Sequence, residues 1–106
     1  MIKKRIRPVH PGAILREDYL IPLNMKSHAL AKALRVTPAR VNDIVLERRS
    51  ITADTALRLA RYFGGDAQSW LNLQTSFDLS EAETKSVQII NREVEPRTTG
   101  IIRTLK

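Results

Sequence analysis

The sequence predicts an all-α fold organised around two short helices joined by a tight turn, and three observations carry that prediction. Ser27 and Thr37 are hydroxyl residues of the kind that caps a helix N-terminus, and only a turn's worth of chain separates the helices they would open. Leu30, Ala31 and Leu34 after the first, and Val41, Ile44 and Val45 after the second, recur at helical spacing. Pro38 stands at a first helical position, where a missing amide costs nothing. Arg35 and Val36 form the turn. Two helices this close cannot bury both apolar stripes on each other alone, so further helices must complete the core.

Those further helices are legible in order. A first core helix begins near His10-Pro11-Gly12, runs through Leu20, and stops before Pro22. Ile14, Leu15 and Tyr19 are its inward residues. After the paired helices comes a basic loop, Glu47-Arg48-Arg49, and then Thr52 caps a helix whose first turn carries Asp54. Ala56, Leu57, Leu59, Ala60 and Phe63 supply its apolar stripe, and Gly64-Gly65 ends it. Asp66 caps a fifth helix from Ala67 to about Ser76, with Trp70, Leu71, Leu73 and Phe77 as its aromatic and apolar mass. Ser80-Glu81-Ala82-Glu83 has the form of a capping box and licenses a sixth, C-terminal helix toward Val94, with Val87, Ile90 and Val94 on one face. This divides the chain into a basic arm (1–9), a helix-turn-helix domain (10–79) and a C-terminal extension (80–106) that reads as a dimer or partner contact. Residues 1–9 read equally as a solvated tail or a phosphate-contacting arm, and residues 97–106 as a flexible tail or a short pairing strand.

At 106 residues the chain has length for one modest core. The absence of cysteine removes disulfides, thiol nucleophiles and Cys-ligated metals. His10 and His28 lack the carboxylates that would complete a metal site, so neither metal nor cofactor is expected. No apolar run reaches membrane-spanning length, and the basic start lacks the apolar region of a secretory signal, so a cytoplasmic protein is expected. The net charge is +7, and its distribution is informative. Residues 26–50 carry six cations against two acids, whereas no Lys or Arg occurs from Tyr62 to Thr84. A basic face for phosphate and a separate face for protein contact would produce this pattern.

The exposed flank of the second paired helix would present Thr37, Pro38, Ala39, Arg40, Asn42 and Asp43 to a major groove. Arg40 is the expected base reader, because a guanidinium fork matches the two acceptors of guanine's major-groove edge. Thr37, Ala39 and Asp43 would add hydroxyl, methyl and amine contacts. Ser27, His28, Arg48 and Arg49 would set position on phosphates, with an exposed histidine and a solvated charge pair as the plain alternatives. Glu17 and Asp18 are adjacent acids, but successive helix positions diverge by about 100°, so a solvated face or a local salt bridge is expected rather than a catalytic pair.

The residues also resemble a known family. His10-Pro11-Gly12 followed by Ile14-Leu15-Arg16-Glu17, then Leu30-Ala31-Lys32-Ala33, the run from Arg49 to Gly64, and Trp70-Leu71-Asn72-Leu73-Gln74 are similar to HigA-type antitoxins of the Xre-like helix-turn-helix group. The resemblance covers roughly residues 9–79. It implies a five-helix, lambda-repressor-like domain and a dimeric protein on an inverted-repeat operator in double-stranded DNA. It further implies that the chain neutralises a RelE-like (HigB-type) mRNA-cleaving toxin and represses the shared operon. In two places this chain departs from the pattern: Arg35 stands where the family usually has glycine, and Leu46-Glu47 where it often has Asn-Gly. A left-handed backbone at Arg35 would carry a steric cost. Two rival readings remain, a free-standing Xre-family repressor without a toxin partner and a small basic RNA-cleaving enzyme. Against the enzyme, no cluster of acid, base and transition-state cation is visible.

Overall fold

The computed structural model describes residues 8–97. Five helices follow one another, with no strand among the described residues. Helix α1 joins three continuous pieces, Pro11–Ile14, a π-helical turn Leu15–Leu20, and Ile21–Leu23. Helix α2 is Ser27–Leu34, α3 is Pro38–Val45, α4 is Ala53–Phe63 and α5 is Ala67–Glu93. The paired helices expected from the sequence are α2 and α3. The basic arm up to Arg7 and the tail from Thr98 lie outside the described residues.

Two expected boundaries move. Helix α1 runs through Pro22 to Leu23 instead of stopping before the proline. The wide turn just ahead explains it: the Ile21 amide donates to the Arg16 carbonyl five residues back, so the ladder has already opened where a proline has no amide to give. The C-terminal segment is helical as expected, but it is not a separate sixth helix. No break occurs at Ser80, and α5 continues for 27 residues, about 40 Å at the usual rise. Ser80 and Glu81 suit a helix interior as well as a cap, and neither glycine nor proline interrupts the chain between Asp66 and Pro96. The molecule is accordingly elongated, 54 × 25 × 25 Å.

Helices α1, α2 and α3 end in the same way. Asn24, Arg35 and Glu47 each adopt positive φ, at 54°, 62° and 63°. At each, two backbone bonds close the helix: Met25 and Asn24 donate to the Leu20 and Ile21 carbonyls, Val36 and Arg35 to Ala31 and Lys32, and Arg48 and Glu47 to Asp43 and Ile44. This is the Schellman closure. Asn24 tolerates the left-handed region, whereas Arg35 and Glu47 do so at a cost of about 1 kcal/mol or more each.

The core gathers Leu15 and Leu20 of α1, Leu30, Ala31 and Leu34 of α2, Val41, Ile44 and Val45 of α3, Ile51, Ala56 and Leu59, and Trp70 of α5. Leu57, expected in the stripe of α4, is instead 63 % exposed. Tyr19 lies 4.7 Å from the Phe63 ring and 5.4 Å from Trp70, joining α1, α4 and α5. Gln74 is buried, accepting from the Ile51 amide at 2.8 Å and donating to Asp78 at 2.9 Å. A side chain of α5 thereby satisfies the loop between α3 and α4. Among the described residues no helix is long and apolar enough to cross a membrane.

His10-Pro11-Gly12 now has a physical meaning. The buried His10 ring caps α1 by accepting from the Gly12 amide at its Nδ1, 2.9 Å away, and packs edge-on to Phe77 at 5.0 Å. Pro11 starts the helix, and Gly12 lies flat on α3, where a Cβ would fall 1.8 Å from the Ile44 carbonyl oxygen. We predict that Gly12→Ala destabilises the fold by about 2 kcal/mol or more, measured by chemical denaturation, because backbone and not a flexible side chain is in the way.

Burial pushes the His10 imidazole below its ordinary pKa of 6.5, and the nearby Glu47 and Asp78 carboxylates only partly oppose it. The capping nitrogen must also stay unprotonated to accept. Folding therefore favours the neutral ring, so the contribution is complete above the unfolded value and is lost as pH falls below it. Stability should fall as pH drops through and below the ordinary imidazole value of 6.5, and a His10→Ser variant, which keeps a cap without a titrating ring, should show a flatter profile.

Candidate nucleic-acid interface

Helix α3 divides as the sequence predicts except at Arg40 and Asp43, which are only partly exposed. Val41, Ile44 and Val45 are buried, while Thr37, Pro38, Ala39 and Asn42 are exposed. The Thr37 Oγ1 accepts from the Arg40 amide at 3.2 Å, so the helix opens on a capped turn. Gly12 beneath Ile44 and the Arg16 guanidinium hold its other end. Arg16 donates to the Val45 carbonyl and lies 3.3 Å from the Glu47 carboxylate, a cation on the negative end of α3.

Ser27 does not cap α2. Lys26 occupies the cap position, extended at φ −91° and ψ 159°, and its carbonyl already accepts from the Ala29 and Leu30 amides. Ser27 is thus the first helical residue, one step too late for its hydroxyl to reach back, and no side chain caps this end. The opening turn of α2 stands beside the opening turn of α3. Lys26, Ser27, His28, Pro38, Ala39 and Asn42 line one open cleft between them. Two helix N-termini and a lysine around a concavity favour an anion there.

At the far end of α3, Asp43 sits between two guanidiniums, 3.0 Å from Arg48 and 4.0 Å from Arg49. Sequence reasoning places the three residues at the interface without linking them. Here the carboxylate sets the pose of both arginines, whose side chains remain 62 % and 48 % exposed. Arg48 and Arg49 also share the loop after the left-handed Glu47, so the backbone turn places both beyond the helix end.

Arg40 has partners that sequence reasoning missed. Its Nη1 donates to Asp54 Oδ2 at 3.0 Å and to Thr55 Oγ1 at 3.4 Å, both at the start of α4. The same Asp54 oxygen accepts from Arg58 Nε at 2.8 Å, and Arg58 Nη1 reaches the Leu34 and Arg35 carbonyls at the end of α2. Hydrogen bonds from Arg58 and then Arg40 hold the Asp54 carboxyl below the usual carboxylate range. The available signal was the Asp54–Arg58 spacing of four residues on one helix. The link to Arg40 crosses 14 positions and follows only from the packing.

Among the described residues no group of three or more His, Cys, Asp or Glu side chains is placed to hold a metal ion. His10 is buried as a cap and His28 is exposed at the start of α2, so the two histidines serve different surroundings.

Known proteins share this fold. A helix-turn-helix family profile matches residues 15–70. The chain is 62 % identical over 90 residues to virulence-associated protein I of Dichelobacter nodosus, covering 83 % of each protein. It is 33 % identical over 85 residues to antitoxin HigA-1 of Vibrio cholerae, covering 80 % of each. Its fold is similar to that of the Pseudomonas aeruginosa antitoxin HigA solved with the higBA promoter, with a TM-score of 0.81 and 47 % identity over 87 % of this chain and 100 % of that one. That family consists of DNA-binding regulators and antitoxins rather than enzymes. Pattern, packing and likeness converge, and the chain belongs to the Xre-like helix-turn-helix family, in its group of HigA-type antitoxins.

Proposed function

We propose that this chain is a cytoplasmic, dimeric, sequence-specific DNA-binding antitoxin that represses its own operon and neutralises the mRNA-cleaving toxin encoded beside it. One observation carries the DNA-binding half: the polar flank of α3 is open to solvent beside the open N-terminus of α2, with Arg48 and Arg49 at the far end. Phosphates on one side of a major groove would meet Ser27 and His28. Those on the other would meet Arg48 and Arg49. Thr37, Pro38, Ala39, Arg40, Asn42 and Asp43 would lie between them, over base edges.

The dimer rests on α5. Beyond the core, Leu79, Val87, Ile90 and Val94 are 58 %, 40 %, 49 % and 62 % exposed, and they recur at turn spacing along the projecting half of the helix. A second copy would cover that stripe and place two α3 helices about 34 Å apart, one turn of duplex, on an inverted repeat. Residues 10–79 then form the DNA-binding domain and 80–106 the dimer or toxin contact. The stretch from Tyr62 to Thr84, free of Lys and Arg, suits contact with a basic toxin.

Two measurements test the reading. In binding to the chain's own promoter, Arg40→Ala should cost about 1 to 3 kcal/mol and relax one base position, whereas Arg49→Ala should weaken all sequences alike and flatten the salt slope by about one. Unchanged affinity and preference after Arg40→Ala would remove Arg40 from base readout. For the toxin, the product of the adjacent open reading frame should co-purify with the chain. If no such product binds, the chain is a repressor acting alone.

A further inference from the structure

We propose that Asp54 is a specificity-determining positioning residue: it anchors one corner of the Arg40 guanidinium on α4 so that the opposite edge is presented to a single guanine. This rests on the reading of Arg40 as the base-contacting residue.

Both bonds that hold Arg40 use Nη1, to Asp54 at 3.0 Å and Thr55 at 3.4 Å. Among the described residues Nε and Nη2 have no hydrogen-bond partner, so one complete donor pair of the fork is left over. Two adjacent donors match the O6 and N7 acceptors of guanine. The anchor is itself fixed. Asp54 is held by Arg58, and Arg58 is tied to the last carbonyls of α2, so the strut spans the end of the first paired helix, the start of α4 and the recognition helix. Thr55 is buried and braced by the Thr52 hydroxyl at 3.3 Å, which leaves the second contact little freedom. A loose arginine has many rotamers and is drawn to any phosphate. One held at a corner by a carboxylate loses less freedom on meeting a base, and its charge is partly answered while it is over a wrong one.

The test uses the full chain on its operator and on a set of duplexes in which each base pair is replaced in turn. Arg40→Ala, Asp54→Asn and the double variant are compared with the parent, and circular dichroism checks folding. Asp54→Ser serves as a second variant should the asparagine form fold poorly. Asp54→Asn should reduce the preference at Arg40's base pair roughly tenfold, tighten binding to unrelated duplex, and leave other positions unchanged. In the Arg40→Ala background it should change nothing further at that pair. Asp54 has no positioning role if Arg40→Ala abolishes the preference and Asp54→Asn leaves it intact. The same holds if Asp54→Asn blurs every position, with or without Arg40. If Arg40→Ala itself alters no preference, the base-reading assignment fails first and is identified as the failure.

Discussion

The contact on which the rest depends is between two backbones. Gly12 of α1 lies so close to the Ile44 carbonyl that no side chain fits between them. That approach sets the depth of α3 in the core, and Arg16, one turn further along α1, seizes the carbonyl at the end of the same helix. A helix seated this deeply buries Val41, Ile44 and Val45 completely and turns its other flank outward. His10 caps α1 and rests on Phe77 of α5, so the first and last helices jointly decide where the recognition surface stands.

Around that seat the chain ends its first three helices with one device, a left-handed residue followed by a pair of backbone bonds. Only Asn24 suits the conformation. Arg35 and Glu47 accept strain where glycine would not, and at Glu47 a side-chain contact comes in exchange. Glu47 pairs with Arg16 across the helix end, whereas the Arg35 contact with Arg58 is made by the backbone carbonyl that any residue would offer. The strain is local and of the order of 1 kcal/mol at each site, small beside a packed core. Its reward is a turn of fixed geometry between α2 and α3, and a loop that delivers two arginines to the same carboxylate.

Much of the fold was legible in the residues because periodicity reports burial directly. Leu30, Ala31, Leu34, Val41, Ile44 and Val45 all face inward, and the caps at Thr37, Thr52 and Asp66 all form. Boundaries were harder. Ser27 looked like a cap because its chemistry suits one, yet Lys26 already had the extended backbone that a cap requires. Pro22 looked like a stop because proline lacks an amide, but a π turn had released the ladder before it. Ser80 to Glu83 read as a beginning because that pattern can open a helix, and nothing local shows that the preceding helix has not ended. Leu57 fits its helix's apolar pattern and still faces solvent. At the interface the residues could be named and the Asp54–Arg58 pair has the spacing of one helix turn, whereas the link from Asp54 to Arg40 depends on which helices pack together, and single-chain spacing does not contain that.

The central claim is that the outward flank of α3, with the two basic ends beside it, is the surface that meets duplex DNA. The most direct measurement follows backbone amide resonances of the full chain as an operator duplex is added. Shifts should concentrate at residues 26–28, 37–43 and 48–50 and spare the outer face of α4. Shifts centred on Leu57 and Tyr62, with residues 37–43 unmoved, would contradict it.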